Sequence, residues 1–403
     1  MKLLHLAVAL IVSTATLAVS TAAFAAPARQ IETDGYTRYE LLAPDSHKFR
    51  ILYEITATTP GATAYYNPIR SGSTASDEQV GDRATGKPLV FREVDGATAK
   101  AGGVTDANPE NRYIAVTLAR PVPRDGGGRI MIEKTYEDAK SYTGVGDNIV
   151  FDRSLGILRN AVVLPPGYEL TACNVPSQIL QQPDGRIMVS FWNASGAPAP
   201  LHLEARKAVF STSSTAGTLP DRATQTRNIV YYLLPPETHS FSLTHDYTET
   251  RPGVSAYVNI VRTGSTVANP SASDLDTGAV IPHETVRGAA IKAVEPEAEG
   301  VADTTEAVVF RFPAVRRHES RRIRIAETYT DPERYGIKDG DLTWHRSFGR
   351  AANAVVLPAG WVLTNSSVPA TVSLTSDGKV RLDYLNPRAD EIDVLITASR
   401  GPG

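Results

Sequence analysis

The chain has 403 residues, a formal net charge of −3 at pH 7 and a single cysteine, Cys173. Acidic and basic residues are mixed along the chain, so the charge pattern gives no case for binding nucleic acid or an anionic membrane. One cysteine cannot form an intramolecular disulfide, and stability must therefore come from packing. The length is enough for two or three domains that each bury a core.

The N-terminus has the pattern of a secretory signal. Lys2 precedes a run of apolar and small residues from Leu3 to Val19, and Ala23-Phe24-Ala25 supplies the small-x-small pattern that signal peptidase requires. The run is too short and too interrupted for a membrane anchor, and no later stretch is long enough to span a bilayer. We predict a signal peptide over residues 1–25, Gram-negative-type export to the periplasm or medium, and no membrane insertion after cleavage.

The segments that follow have the two-residue period of β-strands. Phe49, Ile51, Tyr53 and Ile55 alternate with polar or smaller residues, and similar short runs recur along the chain. The runs are about 8–12 residues apart, with Gly, Pro, Asn and Asp between them, and amphipathic helices of ordinary length are absent. The pattern predicts an all-β fold of antiparallel β-sandwich modules, of immunoglobulin-like or larger supersandwich type. It does not decide between one large and two small sandwiches per module.

The chain also repeats itself. Tyr39–Phe49 matches Tyr231–Phe241 at an offset of 192, and Asn160–Pro165 matches Asn353–Pro358 at an offset of 193. A collinear series of such matches predicts two tandem homologous modules.

The predicted modules span residues 31–208 and 226–401. Between them, the segment from Ser211 to Pro220 consists of small and polar residues with nothing to bury. We expect a linker over residues 209–225.

Motifs that suggest catalysis are incomplete. Gly81–Lys87 has the glycine and lysine spacing of a phosphate-binding loop, but Pro88 stands where a Ser or Thr would bind magnesium. The pairs His283-Glu284 and His318-Glu319 lack the second histidine of a zinc-protease helix. Cys173 is replaced by serine in the second copy. We therefore assign no catalytic residue, no metal site and no cofactor.

Polar residues that both copies keep are the candidates for ligand contact. They are His47, His239, Arg70, Arg262, Arg153, Arg346, Asn160 and Asn353. The histidines suit either a ligand or a backbone carbonyl next to their turn. Arg70 and Arg262 each precede a Ser/Thr-Gly-Ser loop, which is suited to binding a carboxylate of a ligand. The alternative is an ion pair within the same copy, Arg70 with Glu54 and Arg262 with Asp246. The remaining four suit either a ligand or the carbonyl groups of loops between strands.

Two turns are rich in arginine, at residues 124–129 and 316–324. We expect solvated hairpin turns there, with a patch for an acidic partner as the alternative.

Three functions fit these features. The first is an exported, non-catalytic binding or scaffold protein of the bacterial envelope that contacts a protein or glycan partner through its duplicated sandwiches. The second is a carbohydrate-active enzyme, epimerase-like or lyase-like, on a large β-sandwich. The third is a structural spacer in an envelope assembly. Convergence of His47, Arg70 and Glu54 in a pocket lined by tyrosines would favour the enzyme.

Overall fold

The computed structural model describes residues 28–208, 219–224 and 227–401. The predicted signal peptide lies outside these residues. Among the described residues, no helix is long and apolar enough to cross a bilayer. The helices are α1 (Gly96–Ala101) and α2 (Ala289–Val294), with single 3₁₀ turns at Pro44–Ser46 and Pro236–Thr238.

The first half of the chain is built almost entirely of strands, as its two-residue period predicts. The strands are β1 (Glu32–Leu41), β2 (Lys48–Ala57), β3 (Ala64–Pro68), β4 (Thr74–Asp82), β5 (Phe91–Asp95), β6 (Arg112–Thr117), β7 (Gly128–Glu137), β8 (Tyr142–Val145), β9 (Asn148–Leu155), β10 (Arg159–Val163), β11 (Tyr168–Cys173), β12 (Gln178–Gln181), β13 (Ile187–Trp192) and β14 (Ala199–Lys207).

These strands form one large sheet and two small ones. The large sheet has the order β12-β13-β10-β1-β2-β7-β4, in which only β1 and β10 pair in parallel. The small sheets have the orders β11-β14-β9-β8 and β3-β6-β5. Phe49 and Tyr53 project from the same face of β2 because they are four residues apart. Phe49 packs against Phe151 of the four-stranded sheet, and Tyr53 meets Tyr65 of the three-stranded sheet. Both small sheets therefore cover one face of the large sheet, as a single large sandwich.

The second half has one strand more than the first. Its strands are β15 (Asn228–Leu233), β16 (Ser240–Glu249), β17 (Ala256–Ile260), β18 (Thr266–Asp274), β19 (Val280–Ile281), β20 (His283–Arg287), β21 (Glu306–Arg311), β22 (Arg321–Thr330), β23 (Tyr335–Lys338), β24 (Asp341–Phe348), β25 (Ala352–Val356), β26 (Trp361–Ser366), β27 (Thr371–Leu374), β28 (Val380–Leu385) and β29 (Ile392–Arg400).

The sheet orders of the second half correspond to those of the first except for β19, which the first half matches only with an isolated bridge between Gly81 and Pro88. The large sheet runs β19-β18-β22-β16-β15-β25-β28-β27, and the small sheets run β23-β24-β29-β26 and β17-β21-β20. The core separates into one cluster around Trp344 and another around Phe310. The predicted all-β sandwich fold is confirmed, whereas the common origin of the two halves stays a prediction from the sequence.

The arginine-rich turns bring the two halves together. Arg129 donates to both carboxylate oxygens of Asp276 at 2.6 Å, and Arg322 pairs with Asp34. All four side chains are less than a tenth exposed. The expectation of solvated turns is therefore wrong for these two arginines, because each finds a carboxylate in the other half of the chain.

The segment between the halves is also partly packed. Residues 209–218 and 225–226 lie outside the described part of the chain. Arg222 and Ala223 are buried, and Arg222 donates to the backbone carbonyl groups of Asn386 and Gly349. These two residues of the predicted linker are therefore packed, whereas residues 211–218, most of the segment whose composition predicts the linker, lie outside the described part of the chain.

The glycine-rich segment at residues 81–87 is a tight turn at the same contact. The amide of Gly86 donates to the carbonyl group of Asp82, and Gly86 has a φ of 68°. A Cβ atom at this position would lie 2.3 Å from the carbonyl oxygen of His318. The glycine is therefore needed for its backbone conformation and for the close approach of the second half.

Candidate functional site

A cleft of about 410 Å³ opens over the large sheet of the first half. Thr37, Ile51 and Tyr53 line its floor, Tyr65 and Asn67 of β3 line one side, and Arg153 of β9 lines another. The cleft therefore lies where the two small sheets meet above the large one. Ligand sites in proteins are typically concave, with a few polar groups among apolar and aromatic side chains.

Two buried tyrosines in the cleft share one carboxylate. The hydroxyl of Tyr53 donates to Oε1 of Glu32 at 3.0 Å, and the hydroxyl of Tyr65 donates to Oε2. Burial and the nearby carboxylate raise the pKa of both phenols well above its usual value. Both tyrosines therefore stay neutral near pH 7 and present hydroxyl groups rather than charges.

A buried lysine, Lys134, lies on β7, the strand next to β2 in the large sheet. Lys134 is only 4% exposed. Its ammonium group donates to Oδ1 of Asn67 at 2.7 Å and lies 4.9 Å from the centre of the Tyr136 ring. Burial lowers the pKa of Lys134 to about 8, because the charged form loses its hydration. Both the ammonium and the free amine are therefore accessible near neutral pH.

Three arginines line the cleft, Arg29, Arg70 and Arg153, and two of them have very different surroundings. Arg153 is buried, donates to Asp138 at 3.0 Å and lies over the rings of Tyr39 and Phe49. Arg70 is exposed and, within residues 28–208, 219–224 and 227–401, its guanidinium group makes no ion pair. Arg70 is thus a free cation at the cleft, whereas Arg153 is held by the fold.

The matched positions of the second half carry different charges. Glu327 replaces Lys134 and accepts a hydrogen bond from Asn259 at 2.5 Å, while its other carboxylate oxygen has no partner. Burial raises the pKa of Glu327 to about 7. His245 replaces Tyr53, and burial lowers its pKa to about 3. The two halves thus share a frame of Tyr and Asn residues around oppositely charged groups.

The histidine candidates lie away from the cleft. Nδ1 of His47 is 3.0 Å from the carbonyl oxygen of Tyr142, and Nδ1 of His239 is 2.8 Å from that of Tyr335. Both residues have a φ of 53° and end a 3₁₀ turn. This is the geometry of a turn histidine that bonds a backbone carbonyl.

The asparagine candidates bind nearby backbone. Asn160 donates to the carbonyl group of Ile157 at 2.7 Å, and Asn353 donates to that of Arg350 at 3.0 Å. Each bond closes the turn that precedes its strand.

The arginine candidates behave as two sets. Arg346 lies 3.6 Å from Asp331 and over the rings of Tyr231 and Phe241, as Arg153 does in the first half. Arg262 is half-buried, and burial with the nearby Arg346 lowers its pKa.

The prediction that Arg70 pairs with Glu54 and Arg262 with Asp246 is wrong. Glu54 pairs with Arg83 at 3.1 Å, and Asp246 pairs with Arg324 at 2.7 Å. Each acidic group is taken by an arginine of the turns that join the two halves.

Of the eight candidates, only Arg70 and Arg153 line the cleft. Glu54 and His47 do not. The residues that sequence reasoning missed are Glu32, Asn67 and Lys134. One signal was available for Lys134, because it stands between Ile132 and Tyr136 at an inward-facing position of β7.

The described parts of the chain contain no candidate metal site. No group of three or more His, Cys, Asp or Glu side chains in them could hold a metal ion. The lining of the cleft instead combines tyrosine rings, the carboxylates of Glu32 and Asp106, and the guanidinium groups of Arg29 and Arg70, which make no ion pair among the described residues.

No protein-family model matches the sequence, and no curated protein resembles it. Several solved structures have weak similarity to this chain. One is an aminopeptidase N family protein from Idiomarina loihiensis, with 13% identity and a TM-score of 0.27; the match covers 42% of this chain and 29% of that chain. A collagen adhesin from S. aureus has 8% identity over 79% of this chain and 87% of its own, with a TM-score of 0.16. A presumed protease from Parabacteroides distasonis ATCC 8503 has 10% identity over 91% of this chain and 92% of its own, with a TM-score of 0.25.

Proposed function

We propose that this chain is an exported binding protein of the bacterial envelope whose first half holds a glycan in the cleft between its small sheets. The observation that carries the proposal is the convergence of tyrosine rings with Arg70, Lys134 and Asn67 in one concavity. Aromatic rings offer apolar faces to sugar rings, and the polar side chains offer hydrogen bonds to hydroxyl groups.

The cleft is lined by four basic side chains and two carboxylates, those of Glu32 and Asp106, and this excess of positive charge favours an acidic sugar. Arg153 is neutralised by Asp138, and Glu32 receives two phenol hydrogen bonds. Arg70 and the ammonium form of Lys134 have no such carboxylate partner among the described residues. A uronic acid would place its carboxylate beside Arg70, because guanidinium groups bind carboxylates through paired hydrogen bonds.

The test is a glycan array probed with the chain from residue 26 onward, followed by calorimetry with the best ligand. We expect Arg70→Ala to weaken binding about 10-fold to 100-fold, since hydrogen bonds to charged groups contribute about 1.5–3 kcal/mol. The matched control is Arg92→Ala, an exposed arginine of β5 that does not line the cleft. Equal affinity of both variants and the wild type would contradict the proposal.

A second candidate function is a lyase-like activity at the same cleft. The lowered pKa of Lys134 favours it, because a neutral amine can remove the proton next to the carboxylate of a uronic acid. The electron pair would form a C=C bond, the bond to the leaving oxygen would break, and a phenol such as Tyr136 would protonate that oxygen. Incubation of the protein with uronate polysaccharides tests this activity. We expect a product with a conjugated C=C bond, and we expect the Lys134→Met variant not to form it.

A further inference from the structure

A second cavity, of about 200 Å³, lies where the two halves meet. Its charged lining consists of Arg83, Arg129, Arg159, Arg322, Asp34 and Glu54. The cavity is separate from the cleft and shares no lining residue with it.

Positive charge exceeds negative charge around this cavity. Asp34 is shared by Arg159 and Arg322, Glu54 pairs with Arg83, and Arg129 pairs with Asp276. The four lining arginines thus have three carboxylates as ion-pair partners, of which two, Asp34 and Glu54, line the cavity. Three of the four arginines are less than a tenth exposed. A buried charge without a partner is costly, so the excess favours a bound anion.

Three buried hydrogen-bonding atoms of the lining residues have no partner. They are the hydroxyl oxygen of Tyr36, Oγ1 of Thr248 and Nε of Arg159. Each can donate a hydrogen bond, and buried donors in proteins are nearly always satisfied. An anion with several acceptor oxygens would satisfy all three.

A neighbouring cavity of about 170 Å³ provides an internal comparison. Its lining contains as many aspartates as arginines, and none of its lining residues has a buried polar atom without a partner. Leu275 lines it at the position that matches Arg83 in the first cavity. The excess of positive charge and the hydrogen-bond donors without partners therefore occur together in the 200 Å³ cavity and are both absent from the 170 Å³ cavity.

We propose that the cavity between the halves binds a small tetrahedral oxyanion, phosphate or sulfate. The anion would accept hydrogen bonds from Tyr36, Thr248 and Arg159 and balance the fourth guanidinium group. By contacting both halves, it would also stabilise their association.

The test is thermal unfolding and calorimetry of the whole mature chain with inorganic phosphate, sulfate or acetate, against chloride at equal ionic strength. We expect a saturable rise in Tm with phosphate or sulfate. Tyr36→Phe and Thr248→Val should each weaken binding about 5-fold to 10-fold, the loss of one hydrogen bond. In chloride alone, both variants should be as stable as the wild type, because the deleted hydroxyl groups have no protein partner.

The matched control is Thr244→Val, on the same strand and face as Thr248 but outside the cavity lining. It should bind phosphate as the wild type does. The proposal is overturned if phosphate and sulfate act no differently from chloride, or if the two cavity variants keep wild-type affinity. A stronger effect of acetate than of either tetrahedral anion would also overturn it. Tyr36 and Thr248 lie outside the cleft, so these outcomes are independent of glycan binding.

Discussion

Lys134 and Glu327 show how one buried position can carry opposite charges in two similar frames. Each is less than 5% exposed and bonds to an asparagine of the adjacent small sheet. In neither case does an ion pair offset the loss of hydration within the described part of the chain. Each side chain therefore destabilises the fold in its charged form, and its pKa moves toward neutrality. Groups with such shifted pKa values are often found at functional sites.

Glu327→Gln should stabilise the protein in a pH-dependent way. The folded state holds a proton on Glu327 up to about pH 7, whereas the unfolded chain releases it near its ordinary pKa of 4.5. The folded state thus binds more protons within this window, and stability falls as pH rises through it. Glutamine removes the titration and still accepts a hydrogen bond from Asn259. We expect a gain on the order of 3 kcal/mol at pH 8 and less than about 1 kcal/mol at pH 5, measured by urea unfolding.

The control for this prediction is Glu284→Gln, an exposed carboxylate on β20. It should show no comparable gain at either pH. A gain for Glu327→Gln that is the same at pH 5 and pH 8 would contradict the prediction.

The cleft could be predicted from sequence only in part. Arg70 and Arg153 were found because both halves keep an arginine there. Lys134 and Glu32 were missed because that criterion discards positions at which the halves differ. The cleft also gathers side chains from six strands that are up to about 120 positions apart, and no local pattern reports such distant neighbours.

At the scale of elements, the same turn has different surroundings in the two halves. Gly86 and Gly278 occupy matched turns, with φ values of 68° and 74°. A Cβ atom at Gly86 would meet the backbone of His318 at 2.3 Å, whereas one at Gly278 would only contact Pro123 at 3.5 Å. The contact between the halves is therefore closer at the first turn.

Gly86→Ala should accordingly cost more stability than Gly278→Ala. Both variants place alanine in the left-handed region, at a cost of about 1 kcal/mol. Only Gly86→Ala also displaces backbone of the other half, which we expect to add about 1–3 kcal/mol. Thermal unfolding of the two variants measures the difference directly. Equal losses would show that the turn tolerates a Cβ atom at the contact.

The strands themselves were the most predictable elements. The alternation of Phe49, Ile51, Tyr53 and Ile55 places every second side chain on the buried face of β2, as observed. The asymmetric arrangement of two small sheets on one large sheet was not predictable, since alternation specifies a buried face but not the sheet that covers it. The roles of Arg129 and Arg322 were missed for a similar reason, because their partners lie in the other half.

At the scale of the whole molecule, buried ion pairs hold the two halves in one arrangement. The bidentate Arg129–Asp276 pair is 8% and 6% exposed at its two side chains. Removing one partner of a buried pair leaves a charge without compensation, which typically costs about 3–5 kcal/mol.

Arg129→Met should therefore destabilise the protein by several kcal/mol, and Asp276→Leu should do so as well. The double variant should be markedly more stable than the sum of the two losses predicts, because it leaves no unpaired charge. Chemical unfolding of the four proteins gives the coupling energy. Strictly additive losses would mean that the pair does not contribute as a unit.

The two arginine-rich turns also have an approximate twofold relation across the contact. Arg129 and Arg322 occupy matched positions of these turns, whereas their partners, Asp276 and Asp34, do not match each other. The amides of Gly127 and Ser320, again at matched positions, donate across the contact to Leu275 and Ala84. Such an arrangement is isologous, the same type of surface being used twice. If the halves descend from one module, their contact is that of a symmetric homodimer, and fusion of the two genes would have made that dimer permanent and free to acquire different sites.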